Sequence, residues 1–208
     1  MNPDDDVHTQ PTHPHRLKLF NLANALTAAR LCSAPILLWC ILQMRWWLAV
    51  GCLVIAVVTD VYDGKVARSQ GSDSAAGGFF DHATDAALVS AASWALAQHG
   101  LITFWLCPLI ALAFIQYAAD SRVLQGQVLR TSKLGKYNGV GYYILVSTTI
   151  GCQAFASLLS TSAMPWPTGI SLLIQLDQIV YVAAWLLVAS SLASMLDRLV
   201  HAIAAKIT

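Results

Sequence analysis

Charge is what this sequence most lacks. Charged side chains make up 11% of its 208 residues, against about 25% in an ordinary soluble domain. Glutamate is absent altogether, and all eleven acids are aspartate. The formal net charge is +1 and no basic stripe runs along the chain, which excludes a nucleic-acid partner. Cysteine is sparse and scattered. Cys32, Cys40, Cys52, Cys107 and Cys152 each sit in an apolar stretch, with no CxxC spacing. Neither a disulfide framework nor a zinc site is expected, and the five read as small apolar fillers. The N-terminus has no basic stretch followed by an apolar run, so no cleaved signal peptide is expected. Period-two alternation is missing as well, which favours helices over strands.

What remains is apolar. Hydrophobic residues make up 57% of the chain and the mean hydropathy is +0.59. The expected fold is all-α: a polytopic membrane protein with six transmembrane helices and a short N-terminal interfacial helix. Residues 1–15, with Pro3, Pro11 and Pro14, read as a flexible polar tail. Residues 16–208 read as one domain, with the interfacial helix near 16–23. Spans are expected near 24–43, 46–69, 77–99, 101–127, 136–160 and 168–204. Trp46, Trp47 and Trp166 suit interfaces. Six spans put Arg16, Lys18, Lys65, Arg68, Arg122, Arg130, Lys133, Lys136, Arg198 and Lys206 on or near one side, and Arg45 alone near the other. The positive-inside rule makes the crowded side cytoplasmic.

The acids are not spread evenly. Asp60, Asp63, Asp81 and Asp85 all fall between residues 60 and 85, and acids in an apolar bundle are costly. Asp60 and Asp63 are three apart, so they share a face of the second helix. Gly64 and Ala67 continue that face with almost no side chain. Asp81 and Asp85 are four apart and share a face of the third helix. The connector SQGSDSAA is small and polar, and Asp73 within it reads as a solvated turn residue. Such a turn makes the two helices antiparallel neighbours whose four carboxylates converge near the cytoplasmic surface. Carboxylates that close repel unless cations neutralise them. Hard oxygen ligands favour Mg²⁺, Mn²⁺ or Ca²⁺. A pair of metals suits phosphoryl transfer, Gly64 and Ala67 leave a slot for a base or diphosphate, and Arg68 offers a fork for phosphate oxygens.

The pattern DxxDGxxAR-x8-GxxxDxxxD, formed by Asp60, Asp63, Gly64, Ala67, Arg68, Gly77, Asp81 and Asp85, resembles the signature of the CDP-alcohol phosphotransferase family. The resemblance implies that Asp60, Asp63, Asp81 and Asp85 hold two Mg²⁺ or Mn²⁺ ions. It implies that Asp85 is also the general base on the acceptor hydroxyl. Gly64, Ala67 and Arg68 would line the CDP site, and Gly77 would allow close helix approach. The donor so implied is CDP-diacylglycerol, and the acceptor is a small alcohol, foremost a polyol phosphate such as glycerol 3-phosphate. Synthases of phosphatidylglycerophosphate usually carry Lys after the last signature Asp. This chain has Ala86 there, which keeps inositol phosphate, serine or another alcohol open. The resemblance further implies a homodimer in the bacterial inner membrane, with its site facing the cytoplasm. A transporter built on the same acids is the rival. It would place them at mid-bilayer on broken helices, whereas here they lie near helix ends.

Other residues carry weaker signals. Asn24, Thr27 and Arg30 in NLANALTAAR share a helical face. They resemble the start of the first span in phosphatidylglycerophosphate synthase-like members, which implies substrate contact; a snorkelling Arg30 is the plainer reading. Lys133 and Lys136 in SKLGKYNG resemble a basic segment of the same enzymes and would bind an acceptor phosphate; ordinary positive-inside charge is the alternative. His82 is read as packing or hydrogen bonding rather than ligation, because it points about 100° away from Asp81. Asp177, between Gln175 and Gln178, is expected to make an interhelical hydrogen bond. Asp120 near Arg122 is read as a local ion pair without a role in the site. Tyrosines are read as anchors and packing.

Overall fold

The computed structural model describes residues 22–69, 75–120, 133–161 and 167–207. The N-terminal tail, the interfacial segment up to residue 21, the connector at 70–74, Arg122, Arg130 and the turn at 162–166 lie outside the described residues. Those residues form six helices and no strand: α1 (Leu22–Leu42), α2 (Trp46–Ser69), α3 (Ala75–Gln98), α4 (Leu106–Asp120), α5 (Lys133–Thr161) and α6 (Pro167–Ile207). Their positions agree with the spacing of the apolar runs, except that α4 begins five residues late. Pro108 accounts for the delay. A helix starting at 101 would bury a proline in its interior, whereas a start at Leu106 puts the missing N–H in the first turn.

The ends opposite the acids are closed by one motif used twice. At the end of α1, Arg45 N donates to Cys40 O at 2.8 Å and Met44 N to Ile41 O at 2.9 Å. At the end of α3, Leu101 N donates to Leu96 O at 3.2 Å and Gly100 N to Ala97 O at 3.0 Å. Both are Schellman caps, which need a left-handed residue at the turn. Gly100 supplies it with φ 71°, and Met44 with φ 53°. The two caps are tied together, since His99 Nε2 donates to Ile41 O at 3.0 Å and Trp46 meets the His99 ring edge-on at 5.9 Å.

α1 lies against both α2 and α3, and α2 packs on α5, α3 on α4, α4 on α6 and α5 on α6. The filler is the α1 face of Ala34, Leu37, Cys40 and Ile41, which is buried against Leu53, Leu88 and Leu96 in the core.

Apolar surface also faces outward. Leu186 is 66% exposed, and Ile144, Val182 and Ile55 are similarly open. Helices apolar on every side do not suit a water-soluble bundle. Leu134–Ser160 in α5 and Ser171–Val200 in α6 are long and apolar enough to cross a membrane by length and composition. The other helices hold shorter apolar runs, such as Leu31–Leu42 and Trp46–Asp60. α2 and α3 each carry acids toward one end, which shortens the purely apolar stretch.

Candidate active site

Asp81 and Asp85 lie one turn apart on α3 with His82 between them. One ligand atom from each of the three falls within 4.8 Å of the others. Two carboxylate oxygens and an imidazole nitrogen so placed are a donor set that fits a divalent cation. His82 does more than the sequence reading gave it. Its ring meets Tyr117 of α4 edge-on at 5.7 Å, so it packs as expected, and it also reaches the carboxylate group. An imidazole is long enough to offset the rotation between adjacent helical positions.

Asp60 of α2 is half-buried and faces the same space as Asp85, a cavity of about 750 Å³ between α2, α3, α4, α5 and α6. It stands outside the tight group that Asp81, His82 and Asp85 form. Asp81 and Asp85 thus come together on α3, and Asp60 of α2 lies on the wall of the cavity that Asp85 also lines. Asp63, Gly64, Ala67 and Arg68 continue helix α2, Gly77 lies in the first turn of α3, Asn24, Thr27 and Arg30 lie in α1, and Lys133 opens α5. The side chains of all these, and of Asp120, lie outside the described residues.

α5 presents the other wall. Tyr143 Oη donates to Asp85 Oδ1 at 2.9 Å. Lys136, seven residues earlier and so on the same face, also lines the cavity, and Gly135 and Gly139 leave it open. A Cβ placed on Gly139 would meet nothing within 4 Å. α5 also clasps α6. A Cβ on Gly141 would stand 2.8 Å from Leu187 Cδ2, so the backbones approach closely there. Ser190 Oγ donates to Asn138 Oδ1 at 2.6 Å. Ser191 Oγ donates to Leu187 O at 2.5 Å, so Tyr142, whose hydroxyl meets Ser191 Oγ, is the donor in that pair. Further along, Gln153 Nε2 donates to Asp177 Oδ1 at 3.2 Å, the interhelical bond expected of Asp177. α6 contributes Ser191, Ser194 and Arg198 to the cavity, with the Arg198 guanidinium 6.0 Å from the Tyr117 ring centroid.

Three of these participants were not singled out in the sequence. Tyr143 was read as an anchor or packing residue, Arg198 as cytoplasmic charge, and Tyr117 likewise as packing. A readable signal existed for two. Lys136 and Tyr143 share a helical face, and Ser191, Ser194 and Arg198 form a polar stripe at helical spacing.

Comparisons with known proteins bear on this geometry. A family model for CDP-alcohol phosphatidyltransferase matches residues 20–190. The CDP-diacylglycerol–glycerol-3-phosphate 3-phosphatidyltransferase 1, chloroplastic, of Oryza sativa subsp. japonica is 31% identical over 88 residues, covering 42% of this chain and 26% of that protein. A cardiolipin synthase (CMP-forming) of Streptomyces coelicolor is 30% identical over 108 residues, covering 48% of this chain and 49% of that protein. The matched stretches thus span about a quarter and about half of these curated relatives. No solved structure matches.

Proposed function

The chain belongs to the CDP-alcohol phosphatidyltransferase family, and on that premise we propose that it moves a phosphatidyl group from CDP-diacylglycerol to a small alcohol and releases CMP. One observation carries the reading. A single cavity is lined at once by the acids Asp60 and Asp85 and by the cations Lys136 and Arg198. A diphosphate donor needs the first set, bridged by divalent cations, and an anionic acceptor needs the second. The two relatives are named for a glycerol-3-phosphate acceptor and for cardiolipin synthesis. A polyol phosphate such as glycerol 3-phosphate is therefore the acceptor proposed here, with inositol phosphate or serine as the alternatives that Ala86 leaves open.

The roles follow from the chemistry. Asp85, held by Tyr143, takes the proton from the acceptor hydroxyl. The freed oxygen attacks the lipid-side phosphorus of the donor, and the bond from that phosphorus to CMP breaks. Lys136 and Arg198 hold the acceptor's phosphate in the cavity. Mg²⁺ or Mn²⁺, when bound by Asp81, Asp85 and their partners Asp60 and Asp63, supplies charge neutralisation of the diphosphate. The proposed setting is a bundle of six spans in a bacterial inner membrane, with the cavity opening toward the cytoplasm. The acids lie roughly 9 to 15 Å from the described ends of their helices, at 1.5 Å per residue.

The test is direct. Purified protein with Mg²⁺ and radiolabelled CDP-diacylglycerol is offered a panel of alcohols, and CMP is measured. Release with none of them would sink the proposal, as would full activity in excess EDTA. Asp85→Asn is expected to abolish turnover while CDP-lipid binding largely survives.

A further inference from the structure

The α4–α6 side of the cavity carries polar atoms that the reaction as described leaves unused. Gln116 and Tyr117 are consecutive on α4, and both line the cavity. Gln116 Nε2 donates to Met195 O of α6 at 3.0 Å, which fixes the amide. Its Oε1 is buried and has no hydrogen-bond partner among the described residues, and the same holds for the Tyr117 hydroxyl. Tyr117 is only 9% exposed. Its ring is clamped by His82 at 5.7 Å, by Phe114 at 6.2 Å and by Arg198 at 6.0 Å. The contact with His82 sets the Tyr117 ring beside the group that includes Asp85. Buried polar atoms are nearly always paired, and leaving one unpaired is costly. Two such atoms on consecutive residues that line the cavity point to a ligand that completes them.

The atom types select that ligand. An amide oxygen only accepts, so it takes a hydroxyl or N–H donor and disfavours a phosphate. A phenol both donates and accepts. One alcohol group can donate to Gln116 Oε1 while it accepts from Tyr117 Oη. A fatty chain would leave both atoms unpaired. We propose that Gln116 and Tyr117 form a subsite for a non-reacting hydroxyl of the acceptor, which makes the chain selective for polyols over simple alcohols. This rests on the transferase reading of the same cavity, with Asp85 taking the reacting hydroxyl and Lys136 and Arg198 the phosphate.

The test compares acceptors that differ by one hydroxyl. Glycerol 3-phosphate is set against 3-hydroxypropyl phosphate, and inositol 1-phosphate against a deoxyinositol 1-phosphate. CMP release is measured with the full chain, Tyr117→Phe and Gln116→Leu. The unmodified chain should favour the richer member of at least one pair in kcat/KM by roughly tenfold, as one well-made hydrogen bond gives. Each variant should bring that ratio toward one and leave KM for CDP-diacylglycerol within about twofold. Tyr117→Phe removes only a hydroxyl without a partner among the described residues, so its Tm should hold or rise. A structural role would instead lower Tm and depress both acceptors equally. Absence of preference in the unmodified chain, or an unchanged ratio in both variants, overturns the subsite, as would use of serine alone. A bound water completing these atoms would give that same unchanged ratio. Calorimetric binding of the same four phosphates separates the two proposals. A preference in binding that Tyr117→Phe abolishes, without CMP release from any alcohol, keeps the subsite and removes the transferase reading. CMP release with an unchanged ratio removes the subsite alone, and neither signal removes both.

Discussion

Tyr143 reaches Asp85 from 58 residues away in sequence and donates to its Oδ1 at 2.9 Å. A general base must sit within hydrogen-bond reach of the proton it takes. A carboxylate on a helix can swing between rotamers, and the phenol limits that freedom. Tyr143→Phe keeps the ring and its packing, so kcat should fall about tenfold, with KM for CDP-diacylglycerol within about twofold and Tm nearly unchanged. Initial rates of CMP release check this, and an unaltered kcat would remove Tyr143 from the mechanism. The placing of Asp85 beside Asp81 was legible because it is local: spacing alone puts both on one face. Tyr143 was not, because its role depends on which helix faces α3. A tyrosine in an apolar run looks the same whether it anchors to an interface or holds a base. Arg198 shows the same limit, since counting it among the cations of one side said nothing of the cavity.

Helix α5 uses glycine for two opposite purposes. Gly141 lets α6 come close, with Leu187 Cδ2 2.8 Å from where a Cβ would stand. Gly139 faces the cavity, and a Cβ there would meet nothing within 4 Å. Gly139→Leu therefore has room to fold and gains helix propensity of up to about 1 kcal/mol. Its side chain would occupy the space beside Lys136 and Tyr143 that an acceptor needs. Turnover should fall tenfold or more while Tm holds or rises. Rates and melting curves on the same preparation check both halves, and full activity would mean that the acceptor does not use this wall. Element positions were read well from the sequence because a long apolar run fixes a helix almost alone. Neighbours were read less well. α1 lies against both α2 and α3, and nothing in a local pattern ranks three apolar helices for contact.

At the scale of the whole molecule, the polar groups separate by end. Asp60, Asp85, Lys136 and Arg198 share one cavity, while Met44, Arg45, His99 and Gly100 meet at the opposite caps. α2 joins the two regions with 24 residues, a rise of about 36 Å against a hydrocarbon core of about 30 Å. Two helices meet the length and apolarity of a span outright, and the six-span arrangement is the proposal that puts the caps and the cavity on opposite sides of the bilayer. Met44 and Tyr137 are 60% and 72% exposed, which makes them suitable reporters. All five native cysteines are free thiols, so they are first replaced by alanine. In cells, a thiol reagent that cannot cross the membrane should then label Met44→Cys from outside. Tyr137→Cys should label only after the membrane is opened. Labelling of both from outside would break the six-span topology. The reverse pattern would keep the spans and turn the cavity outward, away from the side where the positive-inside rule places Lys136 and Arg198. Either result bears on the proposed reaction, since a CDP-activated donor and a phosphorylated acceptor are charged compounds that do not cross a bilayer unaided, and that reaction requires the cavity to open on the side that supplies them.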